Sequence, residues 1–407
     1  MRIMVALENR FYKCPNGRIY SSTICDYSFW ERYLQSFEEV VVFARVGLSD
    51  QPMDNKCPAN GPGVRFFELP MYIGPRQYLI QRNKIQKLAK KAVSQADAFI
   101  LRIPGTIGTI LWKQLKKKGL PYGVEVVGSS FDSLRTSNIS PLIQSFLYLW
   151  QCVVQFQRRQ CAGASAAAYV TQQYLQKLYP PGGWNTNYST INLNEECLAT
   201  DEELEARNRF LEEAISGQRP FRICHAASME ARYKAQDILI RAVATCRRQG
   251  VDVELFFLGD GKYKSYYESI ARQAGVEPYV KFLGRIPSGK PVQDQMDRAD
   301  IFVFPSLTEG LPKVLIEAMA RGLPCLGSQV GGIPELLEED FLVQAGSVEA
   351  LANKLLFLLR TPEVLTKVSR RNRLKAHEYL ASVLNPRRIM MYQTLIKCSQ
   401  RLRNELK

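Results

Sequence analysis

The sequence predicts an α/β protein built from two doubly wound domains, and three observations predict it. At 407 residues the chain is long enough for two or three units at roughly 150 residues per domain. Short apolar runs alternate with stretches long enough for a helix, the pattern of a parallel sheet covered on both faces. Two clusters of turn-forming residues, Tyr179-Pro180-Pro181-Gly182-Gly183-Trp184-Asn185 and Ser216-Gly217-Gln218-Arg219-Pro220, interrupt that alternation near mid-chain and bracket a hinge.

In chain order, the N-terminal half offers strands at 3–7, 40–44, 98–103, 122–127 and 167–170. The stretch 142–156 is apolar but broken by Gln144, Ser145, Gln151 and Gln155. It falls short of the roughly 20 residues that cross a bilayer, so it predicts a helix against the sheet. Beyond the hinge, strands are expected at 222–227, 253–258, 279–283, 301–305 and 324–327, each pair separated by a helix. Asn385-Pro386 opens a basic C-terminal segment. The expected domains are 1–190 and 191–384, both Rossmann-like, with 385–407 as a helix packing back toward the first.

Hydrophobic residues make up 46% and charged residues 23%, which excludes a disordered or fibrous chain. Ten scattered cysteines form no C-x-x-C pair, and only two histidines are present, so neither a disulfide framework nor structural zinc is expected. The opening Met1-Arg2-Ile3-Met4-Val5-Ala6-Leu7 is too short for a signal peptide, and a reduced, cytoplasmic protein is expected. The net charge is +15, and residues 1–200, with 23 Lys and Arg against 13 Asp and Glu, hold 10 of it. Arg76, Arg82, Lys84, Lys87, Lys90 and Lys91 form a run without an acid, and Lys116, Lys117 and Lys118 add a second cluster. These runs read either as a solvated helix face or as a surface for a polyanionic glycan or an anionic membrane surface on the inner face; anionic partners are expected from the overall charge, but not nucleic acid, because no base-reading motif accompanies it.

The richest segment runs from Ala299 to Ala320. A buried strand ends at Pro305, a loop carries Glu309, and a helix is expected from about Leu311, with Pro312 suited to its first turn. Open N–H groups at such a helix start favour phosphate. Glu317 lies between Ile316 and Ala318 in an otherwise apolar helix. A buried carboxylate needs a partner, and two carboxylates in a crevice suit the hydroxyls of a sugar nucleotide.

These residues resemble a known family, the retaining GT-B glycosyltransferases of family GT4. The resemblance rests on the E-x7-E pair Glu309 and Glu317, the continuation through Ala318-Met319-Ala320-Arg321-Gly322-Leu323-Pro324, and Gly331-Gly332-Ile333-Pro334-Glu335; it is strong over 221–359 and loose before. It implies two Rossmann-like domains facing a central cleft, the first binding acceptor and the second a nucleoside diphosphate sugar. It implies that Glu309 holds donor-sugar hydroxyls and Glu317 the ribose, with Gly310, Leu311 and Pro312 beside the diphosphate, Pro312 offering only its carbonyl. Lys234 matches the lysine that neutralises the diphosphate. The usual Gly-Arg is replaced by Ala227-Ser228, a departure for which Arg232 is the candidate compensation. Arg285, after the Leu258-Gly259-Asp260-Gly261 turn, is expected near the base, and Gly17 near donor phosphate, although an ordinary turn explains Gly17 equally.

Arg45 and Arg102 each stand at or just past an apolar strand and Glu125 interrupts the apolar run 122–127; polar residues there are expected to face the crevice, so all three are expected on the acceptor side, with Glu125 a candidate acid or base. His225 is a further candidate for ligand contact, against hydrogen-bonded packing. The resemblance thus implies a hexosyltransferase acting with retention on a glycan or lipid-linked glycan in surface polysaccharide or glycolipid synthesis. No D-x-D is present and neither a metal nor another cofactor is expected. The rivals are a nucleotide-sugar epimerase on the same fold and a non-catalytic scaffold of a polysaccharide assembly complex.

Overall fold

The structure is a computed structural model that describes residues 1–21, 25–49, 57–129 and 154–405. The described residues divide into two compact units, one made of 1–129, 154–188 and 386–405, the other of 189–385. Each contains one largely or wholly parallel sheet.

The first unit contains β1 (Arg2–Lys13), β2 (Ile19–Ser21), β3 (Glu39–Leu48), β4 (Val64–Pro70), β5 (Ala98–Ile103), β6 (Gly123–Val126), β7 (Ala166–Tyr169) and β8 (Trp184–Asn187). Their order is β4-β3-β1-β5-β6-β7-β8, all parallel, with β2 antiparallel to β1. Ile3 to Ala6 and Val40 to Ala44 are wholly buried, as central parallel strands must be when both faces are covered. The chain winds outward through β3 and β4 and then jumps to β5, so the switch point lies between β1 and β5. Three helices matter below: α1 (Tyr27–Leu34), α2 (Gly74–Ala92) and α3 (Thr106–Lys117).

The sequence reading missed β2, β4 and β8 of this unit. The hinge cluster ends inside β8, which pairs in register with β7 from Ala166–Trp184 to Tyr169–Asn187. The helix expected at 142–156 lies outside the described residues except for its last three.

The second unit orders β9 (Phe221–Ala226), β10 (Val253–Leu258), β11 (Val280–Phe282), β12 (Ile301–Phe304), β13 (Cys325–Ser328) and β14 (Leu342–Val343) as β11-β10-β9-β12-β13-β14, all parallel. Here the switch point falls between β9 and β12. Helix α4 (Gln236–Arg248) follows β9 and α5 (Lys313–Ala320) follows β12, so the loops ahead of both open at that point. The last helix, α6 (Ala381–Glu405), carries Pro386 inside it and contributes its residues from 386 onward to the first unit.

Candidate active site

The β9 and β12 loops are tied together before any site is formed. The Tyr233 carbonyl accepts from Leu307 N–H at 2.7 Å and from Ser306 Oγ at 3.2 Å. Ser306 Oγ also lies 2.7 Å from Glu309 Oε1, which orients the carboxylate. Lys234 Nζ reaches the same oxygen at 2.5 Å, with both side chains largely buried at 15% and 9% exposure. Beneath them the Phe304 ring centroid is 4.9 Å from Lys234 Nζ. A charge pair so desolvated interacts strongly and has fixed geometry.

Backbone conformation fixes where these groups point. Arg232–Lys234 is a single 3-10 turn that ends at Ala235, whose φ of +57° is left-handed for a residue with a Cβ. Gly331 has φ +56°, and a Cβ there would stand 2.0 Å from the Glu309 carbonyl; Gly332 N–H donates to the Gly310 carbonyl at 2.8 Å. The glycine pair lets its loop lie directly against the Glu309 loop. Gly259 and Gly261 do the same beneath the 227–230 loop, where a Cβ would come within 2.0 Å of the Ala227 carbonyl and 2.4 Å of Glu230 N. That segment is a close-packed turn.

Helix α5 begins at Lys313 with Pro312 as its N-cap, slightly later than the sequence suggests. Among the described residues the N–H groups of Gly310 and Leu311, just ahead of it, have no hydrogen-bond partner. Glu317, one turn into α5, is partly buried and likewise has no hydrogen-bond or ion-pair partner among the described residues. Burial pushes its carboxyl pKa up, and the Lys313 charge draws it partly back. Together these supply donors for an anion and acceptors for hydroxyls.

The other predicted donor residues are dispersed. Ser228 is exposed, and its Oγ accepts from Glu230 N–H at 3.2 Å. Arg232 points to Asp237 at 3.3 Å and to the Tyr266 hydroxyl at 2.8 Å, stacking over that ring. It is held by those two partners. Arg285 is exposed beside Gly284, whose carbonyl accepts from Gly259 N–H at 2.8 Å. Gly17 forms the β1–β2 turn at φ +77°, with its N–H on the Cys14 carbonyl at 2.9 Å, and the turn alone accounts for a glycine there.

His225 is fully buried: Nδ1 lies 2.8 Å from the Val303 carbonyl, and the ring stacks on Phe304 at 5.6 Å. It is therefore a packing residue under the site. Burial lowers its pKa to about 4, the Val303 bond opposing in part. Because the folded pKa lies below the unfolded value near 6.5, the neutral ring stabilises the fold fully above pH 6.5, and that contribution is lost as pH falls toward 4. His225→Phe should therefore remove up to about 3 kcal/mol of acid sensitivity. Denaturant unfolding at pH 7.5 and 4.5 checks this; parallel losses in both proteins would contradict it.

In the first unit the predicted acceptor-side residues divide into two networks. Arg45 donates to the Glu8 carbonyl, to Glu8 Oε2 at 3.0 Å and to the Tyr72 carbonyl at 3.1 Å, while Glu8 Oε1 accepts from Ile107 N–H at the start of α3. Sequence reasoning missed Glu8, although an acid closing the first apolar run was the available signal. Glu125 requires correction. Expected to face a crevice, it is 3% exposed, and its two oxygens accept from Tyr33 at 2.8 Å, Arg102 at 2.5 Å and Tyr188 at 3.0 Å. A carboxylate occupied in this way anchors the fold.

A two-unit protein of doubly wound sheets, with an acid–base pair and an open helix start at one switch point, has the architecture of a GT-B glycosyltransferase. Residues 220–361 match the family model for glycosyl transferases group 1, and the chain is a GT4-like glycosyltransferase. It is 27% identical over 338 residues to Protein CapJ of Staphylococcus aureus, covering 82% of this chain and 80% of CapJ. It is 32% identical over 173 residues to the putative colanic acid biosynthesis glycosyltransferase WcaL of Escherichia coli K12, covering 40% of this chain and 42% of that one. Sucrose-phosphate synthase from Thermosynechococcus elongatus shares the fold with a TM-score of 0.72 at 16% identity, over 98% of this chain and 99% of the other. Anabaena HepE, solved in complex with UDP, shares it at 0.62 and 15% identity, over 100% and 99%. The enzyme class stands in place of the non-catalytic scaffold.

Proposed function

We propose that the protein transfers a hexosyl group from a nucleoside diphosphate sugar to a glycan or lipid-linked glycan, with retention of anomeric configuration, in surface polysaccharide or glycolipid synthesis. The observation that carries this reading is the Lys234–Glu309 pair beside the open N–H groups of Gly310 and Leu311. On donor binding, Lys234 turns its charge to the diphosphate and Glu309 accepts from sugar hydroxyls. The bond from C1 to the diphosphate oxygen breaks, the acceptor oxygen bonds to C1 on the same face, and the acceptor proton passes to the departing diphosphate. Lys234 and the α5 start compensate the developing negative charge, so the reading requires no cation.

The relatives support the biological setting: WcaL is named for colanic acid and a 35% identical Erwinia amylovora relative, AmsK, for amylovoran biosynthesis. A 31% identical Mycolicibacterium smegmatis relative is named as a GDP-mannose-dependent phosphatidylinositol monomannoside mannosyltransferase. HepE was solved with UDP and with UDP-glucose, so a uridine or guanosine diphosphate sugar is the first donor to test.

Glu317 is assigned to the ribose hydroxyls because its carboxylate is partly buried and unpaired among the described residues. Losing charge-assisted hydrogen bonds costs about 1.5 to 3 kcal/mol, so Glu317→Ala should weaken free nucleoside diphosphate binding by roughly 10- to 100-fold in calorimetry. Glu309→Ala should leave that affinity nearly intact and slow transfer. Unchanged nucleotide affinity in Glu317→Ala would remove the ribose assignment.

A further inference from the structure

Helix α2 buries only Ile85, Ala89 and Ala92 among its 19 residues. The opposite face carries Arg76, Ile80, Lys87 and Lys91, which a 100° step per residue brings to one side. At its N-terminal end Ile73, Leu79 and Ile80 are 57, 63 and 81% exposed. Single exposed aliphatics are ordinary, but three within eight residues on a helix with six cations and no acid are not. Beside this helix a cleft of about 770 Å³ opens between α2 and α3, with Tyr78 and Arg82 on one side and Lys113, Lys116 and Lys117 on the other. Lys113 Nζ lies 4.8 Å from the Phe156 ring centroid and Lys116 Nζ 5.6 Å from that of Trp112. None of the cations in this cleft forms an ion pair among the described residues.

We infer that this α2–α3 face is a docking surface for an anionic phospholipid bilayer, with Leu79 and Ile80 entering the headgroup region and the cleft lysines and Arg82 receiving lipid phosphates. The cations supply attraction that salt screens, and the bared aliphatics supply burial that salt leaves intact. A soluble polyanion would use the charges but would leave Leu79 and Ile80 without a partner, which favours the bilayer. Among the described residues no helix is long and apolar enough to cross a membrane, so this attachment lies at the surface. The inference does not rest on the donor or acceptor reading, because binding is measured without either.

The test is co-sedimentation of the full chain with phosphatidylcholine vesicles, with and without phosphatidylglycerol as about a third of the lipid, at low and high salt. Wild type should bind the anionic vesicles at low salt and retain a weaker fraction at high salt. The K113E/K116E/K117E variant should lose binding by about tenfold or more at low salt. The L79S/I80S variant should lose the fraction that survives high salt. All five positions are exposed, and an unshifted unfolding transition of the first unit confirms folded protein. Equal binding to neutral and anionic vesicles, or wild-type binding by either variant, would overturn the inference. So would tight binding to heparin without binding to vesicles, which would assign the face to a soluble polyanion.

Discussion

Lys234→Met is expected to lower kcat/KM for sugar transfer by roughly 100- to 1000-fold, the scale of losing one aligned electrostatic contact to a developing charge. The substitution keeps the aliphatic stem over Phe304 but leaves the Glu309 carboxylate buried with Ser306 alone. Breaking a buried pair costs about 3 to 5 kcal/mol, so some of the loss would come from instability. The Lys234→Met/Glu309→Gln double variant separates the two effects, because it removes both charges and should regain much of the lost stability. Steady-state kinetics of both variants beside their melting curves are the measurement. Persistent loss of transfer in the stable double variant is expected; recovery of transfer would reduce Lys234 to a counter-charge for Glu309.

Glu125→Ala should have the largest effect on stability in the first unit. The substitution strands the Arg102 guanidinium, 12% exposed, and removes the acceptor of the Tyr33 and Tyr188 hydroxyls. Burial, the larger cause and one the substitution leaves in place, raises the pKa of both tyrosines, so they stay protonated donors and do not compensate by ionising. The Tyr33 ring also stacks on Tyr392 of α6 at 5.3 Å, so the loss extends to the C-terminal helix within the same unit. A cost of about 3 to 5 kcal/mol corresponds to a melting shift of roughly 10 °C for a unit of this size. Calorimetry should show the transition of the first unit moving down while that of the second holds. An unmoved transition with reduced transfer would return Glu125 to the acceptor side as an acid or base.

The contrast between these residues shows what the sequence carries. Buried parallel strands read as apolar runs, and β1, β3, β5, β9, β10 and β12 were legible for that reason. The β8 segment Trp184–Asn187 is polar, follows two glycines and lies at the sheet edge, so it reads as part of a linker. Glu309, Glu317 and Lys234 were found through a family pattern, yet the contact between Lys234 and Glu309 crosses 75 residues and depends on β9 lying beside β12. Glu125 gave an ambiguous signal. An acid interrupting an apolar run fits a crevice or a buried network, and only the positions of Tyr33 and Tyr188, 92 and 63 residues away, decide between them. Ser306 carried no signal strong enough to single it out, because its contribution is one hydroxyl aimed at Glu309; Gly331 entered only as part of the family pattern, whereas its contribution, a Cβ that must be absent beside the Glu309 carbonyl, depends on a loop 22 residues away in sequence.

In the proposed reaction the second unit holds a nucleoside diphosphate sugar and its hexosyl group passes to an acceptor. The direct measurement is release of nucleoside diphosphate in EDTA from uridine and guanosine diphosphate sugars, with and without glycan and lipid-linked glycan acceptors, followed by NMR of the product linkage. Acceptor-dependent release is expected that survives the chelator, is lost in Lys234→Met/Glu309→Gln, and gives a product with the anomeric configuration of the donor. Release that requires an added divalent cation, an inverted linkage, or interconversion of donor sugars without any acceptor would contradict it.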